Sequence, residues 1–436
     1  VEPVKIGLLG LGTVGGGTYT VLQRNAEEIA RRAGRGIIVS HASIRNRARI
    51  EALGLRDVRL SEDPFAVVDD PEIEVVVELL GGSDPALALI LRALENGKHV
   101  VTANKELIAK HGNEIFAAAQ REGVMVAFEA AVAGGIPIIK SIREGLAGNE
   151  IRWVAGIING TANFILTEMR DHGRDFADVL AEAQRLGYAE ADPSFDVDGI
   201  DAAHKLTILA AIAFGIPLHF DDVYMEGISG MTREDIGYAE QLGYRIKHLA
   251  IARRSDGSVE LRVHPTLVPE RRLIAHVDGV MNAVQVQADA LGPNLYYGAG
   301  AGAEPTASAV VADLVDVVRT LTSDPDNRVP HLAFKPDQLF DRPILPMEEV
   351  ETAYYLRLQA VDRPGVMAQV SRIMGDLDIS MEAILQKEPG PGETTVPLIM
   401  LTRSVRERQI NEAIRQFRDL DAIVGEVQRI RVENLG

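Results

Sequence analysis

Residues 187–205 read Gly187-Tyr188-Ala189-Glu190-Ala191-Asp192-Pro193-Ser194-Phe195-Asp196-Val197-Asp198-Gly199-Ile200-Asp201-Ala202-Ala203-His204-Lys205 and lead straight into an apolar helical pattern. Five carboxylates precede one lysine. Asp201 and Lys205 stand four residues apart and so share one helix face. An exposed ion pair is the bland reading of that spacing, worth only about 0.3–0.5 kcal/mol. A calcium loop is another, but D-x-D-G-x-D lacks the alternating ligands ahead of the glycine, and the distant glutamate, of an EF-hand. The chemistry that needs this set is carbonyl reduction by a nicotinamide hydride, where a lysine ammonium held by a carboxylate donates a proton to the developing alkoxide. Spare carboxylates suit a substrate with its own ammonium group. A small amino acid is implied.

A hydride donor needs a dinucleotide site, and the N-terminus offers one. Gly10-Leu11-Gly12-Thr13-Val14-Gly15 is a G-x-G-x-x-G that follows a Val/Ile-rich strand and opens a helix. Gly10 permits the tight turn, Gly12 lets the backbone approach a pyrophosphate, and Gly15 lets helix and strand pack closely. The second strand ends Ser43-Ile44-Arg45-Asn46-Arg47-Ala48-Arg49. It lacks the acidic residue that usually holds the NAD ribose. Arg45 and Arg47 suit a 2′-phosphate, so NADP is favoured with NAD as the alternative, a solvated basic turn being the competing account. Thr102-Ala103-Asn104-Lys105 lies at the carboxyl end of another strand, the edge where open α/β sheets bind ligands. Lysine in the first turn of a helix opposes the helix dipole, so Lys105 asks for a reason.

The elements that must carry these groups follow from the pattern of apolar residues. Val4–Leu9, Ile37–Ile44, Val75–Leu80, Val100–Thr102 and Val124–Phe128 predict strands separated by helices. Asp84-Pro85 reads as an N-cap and N1 pair opening a helix that Gly97 closes. Strand–helix alternation predicts βαβ units and a parallel sheet. The middle of the chain is less regular, with strands expected near Arg152–Ile158 and Val280–Ala288 and a helix over Ile200–Phe214. The polar, Pro-rich stretch Thr322–Pro346 reads as a linker. Beyond it, strands at Tyr354–Val361, Ile379–Gln386, Thr394–Thr402 and Val424–Val432 with helices at Val366–Leu377 and Val405–Phe417 give a βαββαβ order. The expected fold class is therefore α/β. A Rossmann domain over 1–130, completed by a helix at about 305–321, precedes an α+β catalytic and dimerisation domain over 131–304. A linker over 322–349 leads to a ferredoxin-like domain over 350–436.

The 436 residues are enough for several domains. Cysteine is absent, which excludes disulfides, iron–sulfur clusters and thiol nucleophiles and agrees with a cytoplasmic setting. Sixty-three acidic against 45 basic residues give a net charge of −18, unsuited to nucleic acid. Neither a signal peptide nor a membrane span is expected.

GLLGLGTVGGGT, VVELLGG, VTANKELIA, FEAAVAGGIPII, GIINGTANFIL, LGYAEADPSFDVDGIDAAHK and GAGAEPTASAVVADL together resemble homoserine dehydrogenase from Val4 to about Leu321. The tail, with Asp362-Arg363-Pro364-Gly365-Val366 at its first turn, resembles the ACT domain of the monofunctional bacterial form. The resemblance implies reversible NAD(P)-dependent interconversion of L-aspartate 4-semialdehyde and L-homoserine on the route to threonine, methionine and isoleucine. It implies Lys205 as proton donor to the aldehyde oxygen, with Lys105 close by. Glu190 and Asp201 would bind substrate with support from Asp196, and Gly187 and Thr161 would line its pocket. Gly12, Thr13, Val14, Arg45 and Lys105 match cofactor contacts, and Gly302 and Glu304 fall in a loop closing near the nicotinamide. A structural sodium ion is implied at Glu129, Val132, Gly134 and Ile136, where a plain tight turn is the bland reading. L-threonine is the implied effector, and a homodimer or homotetramer the implied assembly. Asp378 departs from the Asn or Gly usual before Ile-Ser in the second ACT strand. Aspartate-semialdehyde dehydrogenase, the nearest rival, requires a cysteine. Another Rossmann amino-acid oxidoreductase would lack the 183–205 pattern, and a catalytically silent amino-acid sensor would not need both lysines.

Overall fold

The computed structural model describes residues 2–44, 53–387 and 394–436. Two compact units form: Val1–Gly160 with Asp201–Val223 and Val280–Arg342, and Thr161–Ile200 with Tyr224–Gly279 and Pro343–Gly436.

In the first unit, strands β1 (Val4–Leu9), β2 (Ile37–Ser43), β3 (Arg59–Ser61), β4 (Val75–Glu78), β5 (His99–Thr102) and β6 (Val126–Ala127) make a sheet ordered β3-β2-β1-β4-β5-β6. Every pairing in it is parallel. The near-continuous Val/Ile/Leu runs in β1, β4 and β5 suit strands buried on both faces. This is the Rossmann arrangement, with strand order reversing between β1 and β4. Helix Ala303–Thr320 packs against helix Thr13–Arg24, and its Ala307, Val310, Leu314 and Val317 join Ile6, Leu8 and Leu22 in one core. Strand Ile151–Ile157 pairs antiparallel with Met281–Ala288, which pairs with Gly292–Ala299. Helix Ile200–Phe214 is buried on all sides and, beyond Lys205, apolar apart from Thr207. Pro85 occupies the N-cap position and the helix begins at Ala86, one residue later than the Asp84-Pro85 reading.

The second unit contains a long hairpin, Tyr244–Ser255 against Ser258–Pro269. Strand Ile423–Val432 runs parallel to the second arm of the hairpin and antiparallel to Glu351–Val361. Thr395–Thr402 and Met381–Gln386 follow across the sheet, giving the four-strand order of a ferredoxin-like βαββαβ domain. Strand alternation explains its burial. Tyr354, Leu356 and Leu358 face helices Val366–Asp376 and Glu407–Arg418, while Tyr355 faces a core formed with Ile165, Leu166 and Ile236. Buried ion pairs key this tail to the rest of the unit: Arg262–Glu433 at 2.5 Å, Arg431–Glu226 at 2.8 Å and Arg357–Asp235 at 2.6 Å. Among the described residues no helix is long and apolar enough to cross a membrane.

Candidate active site

The first helical turn of Ile200–Phe214 carries Asp201 and the next carries Lys205, and the expected ion pair forms at 2.7 Å to Asp201 Oδ2. This is no surface pair: the two side chains are 5% and 11% exposed. Lys205 Nζ also donates to the main-chain oxygen of Ile158 at 2.6 Å. The adjacent Asn159 donates its amide to Asp201 Oδ2 at 2.8 Å. Both residues follow the strand Ile151–Ile157, so a sheet edge fixes the lysine–carboxylate pair. The other carboxylate oxygen, Oδ1, receives Lys105 Nζ at 3.1 Å. One buried carboxylate therefore holds two ammonium groups. Burial alone would push the Asp201 carboxyl upward, but Lys205, Lys105 and the hydrogen bonds from Lys205 and Asn159 hold it well below the usual range. It is an anion at any working pH.

The two lysines differ in access. Lys105 keeps 33% of its side chain exposed against 11% for Lys205, so Lys205 is the more enclosed of the two. His204, the neighbouring histidine, turns to the Phe220 ring at 4.3 Å. Burial and then the Lys110 charge bring its pKa down to about 4, so it stays neutral and serves poorly as an acid at neutral pH.

The glycine-rich turn has the shape a dinucleotide needs. Gly10 sits at φ +93° and donates its N–H to Ser43 Oγ at 3.2 Å. A Cβ on Gly15 would strike the Gly10 carbonyl, so helix and strand approach closely there. At Gly12 a Cβ would meet nothing within 4 Å, leaving the approach to the helix N-terminus open. Gly12 caps the twelve-residue helix Thr13–Arg24, whose first turn, with Thr13 and Val14, has no acidic residue to repel a phosphate. Arg45 and Arg47 lie outside the described residues. Thr102 ends β5 and Lys105 begins the following helix, both at the carboxyl edge of the sheet. Gly302 caps helix Ala303–Thr320 at φ +138°. Glu304 in that helix forms a two-pronged pair with Arg24 at 2.9 and 2.8 Å. Arg24 is in the last turn of its helix, so this pair ties that helix to the start of helix Ala303–Thr320.

Glu190, Asp196, Gly187 and Thr161 belong to the second unit. Thr161 is buried and donates its hydroxyl to the Tyr188 carbonyl at 2.7 Å, pinning the turn in which Gly187 takes φ +76°. Glu190 is exposed, and Asp196 lies half-buried in the short helix Ser194–Val197.

Glu129 is buried, and its carboxylate accepts the N–H groups of Ile139 and Lys140 at 2.9 Å each. Each of these oxygens keeps a further lone pair, so the carboxylate and the main-chain carbonyls of this turn can both donate to a cation. Ala133 and Gly134 bend the turn at φ +54° and +45°, and Val132, Gly134 and Ile136 are buried. Hard oxygen donors of that kind fit a hard cation. Among the described residues no group of three or more His, Asp or Glu is arranged to hold a metal.

Sequence reasoning passed over Asn159 and Glu78. Asn159 sits in the GIINGTANFIL stretch, beside a strand end. Glu78 closes a wholly apolar strand, and a carboxylate in such a run is itself a signal.

Comparison with known proteins bears on the whole chain. Residues 10–129 match the family model described as the NAD-binding domain of homoserine dehydrogenase. Residues 137–315 match the model described as homoserine dehydrogenase, and residues 354–422 match the ACT domain. Homoserine dehydrogenase of Pseudomonas aeruginosa is 64% identical over 435 residues, covering 100% of both chains. That of Neisseria gonorrhoeae is 54% identical over the same length and coverage. The crystal structure of a homoserine dehydrogenase from Thiobacillus denitrificans superposes with a TM-score of 0.95 at 67% identity, covering 100% of this chain and 99% of that one.

Proposed function

The chain belongs to the homoserine dehydrogenase family and is an oxidoreductase, and from that premise we propose how its residues reduce L-aspartate 4-semialdehyde to L-homoserine. When bound, the nicotinamide supplies the hydride. Lys205 donates the proton to the aldehyde oxygen as negative charge develops there, because an enclosed ammonium aligned by a carboxylate is a directed acid. Lys105 adds a second positive charge at the same centre. Asp201 aligns both ammoniums; by the family pattern, Glu190 and Asp201 would bind the amine and hydroxyl region of the substrate with support from Asp196, and Gly187 and Thr161 would line its pocket. The role of these second-unit residues rests on their match to the family pattern. A single observation carries the reading: buried Asp201 binds Lys205 and Lys105 through separate oxygens at 2.7 and 3.1 Å.

Gly10, Gly12, Thr13, Val14 and Gly15 would cradle the pyrophosphate, with Thr102, Lys105, Gly302 and Glu304 at the nicotinamide end. The arginines of 45–49 favour NADP over NAD. A sodium ion would be held by the Glu129 carboxylate and nearby carbonyls at Val132, Gly134 and Ile136. L-threonine is the proposed effector at the ACT domain, a homodimer or homotetramer the proposed assembly, and the cytoplasm the proposed setting. The test is NADPH oxidation on adding L-aspartate 4-semialdehyde, repeated with NADH and with L-threonine. Lack of aldehyde-dependent oxidation by the intact protein overturns the reading. Equal use of NADH removes the argument from the arginines.

A further inference from the structure

Glu78 ends β4 and is fully buried where the strand order reverses, in register with Leu9 of β1 on one side and Thr102 of β5 on the other. A carboxylate in such a place is costly unless donors surround it. Three do. Thr102 Oγ1 donates to Oε2 at 2.7 Å, and the N–H groups of Leu80 and Gly81 reach Oε1 at 2.7 and 3.4 Å. The Thr102 oxygen in turn accepts the N–H of Asn104 at 3.0 Å. Asn104 donates its amide to the Gly82 carbonyl at 2.6 Å, and its Oδ1 caps the next helix by accepting the Leu107 N–H at 3.1 Å. Glu78 thus ties the loop after β4 to the turn after β5.

The first residue of the capped helix is Lys105, whose ammonium reaches Asp201. The helix dipole disfavours a cation at that end, so its hold on Lys105 must come from outside the helix. We propose that Glu78 is a positioning residue for Lys105, fixing the first helical turn through Thr102 and Asn104 and so the aim of the ammonium at Asp201. The inference rests on Lys105 acting at the reacting centre.

Its test is a cycle of three variants, Glu78→Gln, Lys105→Ala and the double change, assayed for kcat and KM in aldehyde-dependent NADPH oxidation. Glu78→Gln is expected to lower kcat by about 10- to 100-fold, the scale of a misplaced catalytic group. KM for the aldehyde should change little, and the double variant should be no slower than Lys105→Ala alone. A double variant slowed by the product of the single effects shows a merely structural role and overturns the proposal. Full activity of Lys105→Ala overturns the underlying reading of Lys105 and the inference with it. Should Glu78→Gln fail to fold, Asn104→Ala removes the helix cap that ends the same chain of bonds and Asn104→Asp keeps it. Alanine and aspartate variants of equal kcat contradict the proposal.

Discussion

At Asp201 the negative charge of a single buried carboxylate decides where two ammonium groups stand. Asp201→Asn keeps the shape and removes the charge. The expected outcome is a loss in kcat of about 10²–10⁴, the usual worth of a positioned acid, with NADPH affinity retained in a fluorescence titration. Loss of the anion also makes the ammonium form of the lysines less favourable, so the basic limb of the rate profile should move to lower pH. An unmoved limb would separate Asp201 from the acid. Much of this was legible in the chain: the i, i+4 spacing placed Asp201 and Lys205 together before any coordinates. Lys105 lies 96 positions away in sequence from Asp201, and spacing says nothing about such a pair. Spacing does not reveal Asn159 or Glu78, because the bonds that link them to the site, to Asp201 and to Thr102, join residues remote in the chain.

Helices and strands hold these groups through close approaches that tolerate little change. Gly17 on the first helix lies against the Ala303 carbonyl, where a Cβ would overlap backbone. Alanine there improves helix propensity by about 1 kcal/mol. Overpacking against a carbonyl costs about 1–3 kcal/mol and displaces the loop before Ala303. Gly17→Ala should therefore lower the melting temperature and weaken NADPH binding; an alanine variant as stable and as tight as wild type would contradict the packing. At the other edge of the sheet, His99 Nδ1 and His331 Nε2 accept the N–H groups of Met125 and Val126 at 3.0 and 3.1 Å. Burial lowers both pKa values to about 4, with nearby arginines adding to the effect. The unfolded chain takes up these protons near pH 6.5 and the folded one only near 4, so stability falls as pH drops through that window. Replacing His331 with Asn should flatten that decline in melts between pH 7 and 4, and an unchanged slope would refute it. The βαβ order of this domain was readable because parallel strands are continuous apolar runs. The hairpin over 244–269 was not recognised, although Asp256-Gly257, at φ +30° and +88°, is a known hairpin turn pair. Its second arm even alternates apolar and polar residues over Val259-Glu260-Leu261-Arg262-Val263-His264, while the first arm, with Leu249-Ala250-Ile251-Ala252 in its middle, has no such alternation.

Across the molecule, the C-terminal tail is part of its unit's sheet rather than an appendage. Strand Ile423–Val432 pairs with the hairpin, and Glu433 neutralises buried Arg262 and also pairs with Arg253 at 2.7 Å. Removing a partner from a buried cation costs up to about 3–5 kcal/mol, lessened at Arg262 because Glu260 also reaches it at 3.0 Å. A chain ending at residue 349 is therefore expected to lose its cooperative melt instead of yielding an unregulated enzyme, and Glu433→Gln should lower the melting temperature in calorimetry. A truncated chain melting like the whole would contradict this. The βαββαβ order of the tail could be read from its strand spacing, but its docking could not, since the arginine and glutamate partners lie up to 205 residues apart. The measurement that bears most directly on the whole account is steady-state NADPH oxidation with L-aspartate 4-semialdehyde, comparing wild type with Lys205→Ala. The account predicts turnover by the wild type and a kcat at least about a hundredfold lower in the variant, with folding and NADPH binding intact. Wild-type kcat in the variant would contradict it.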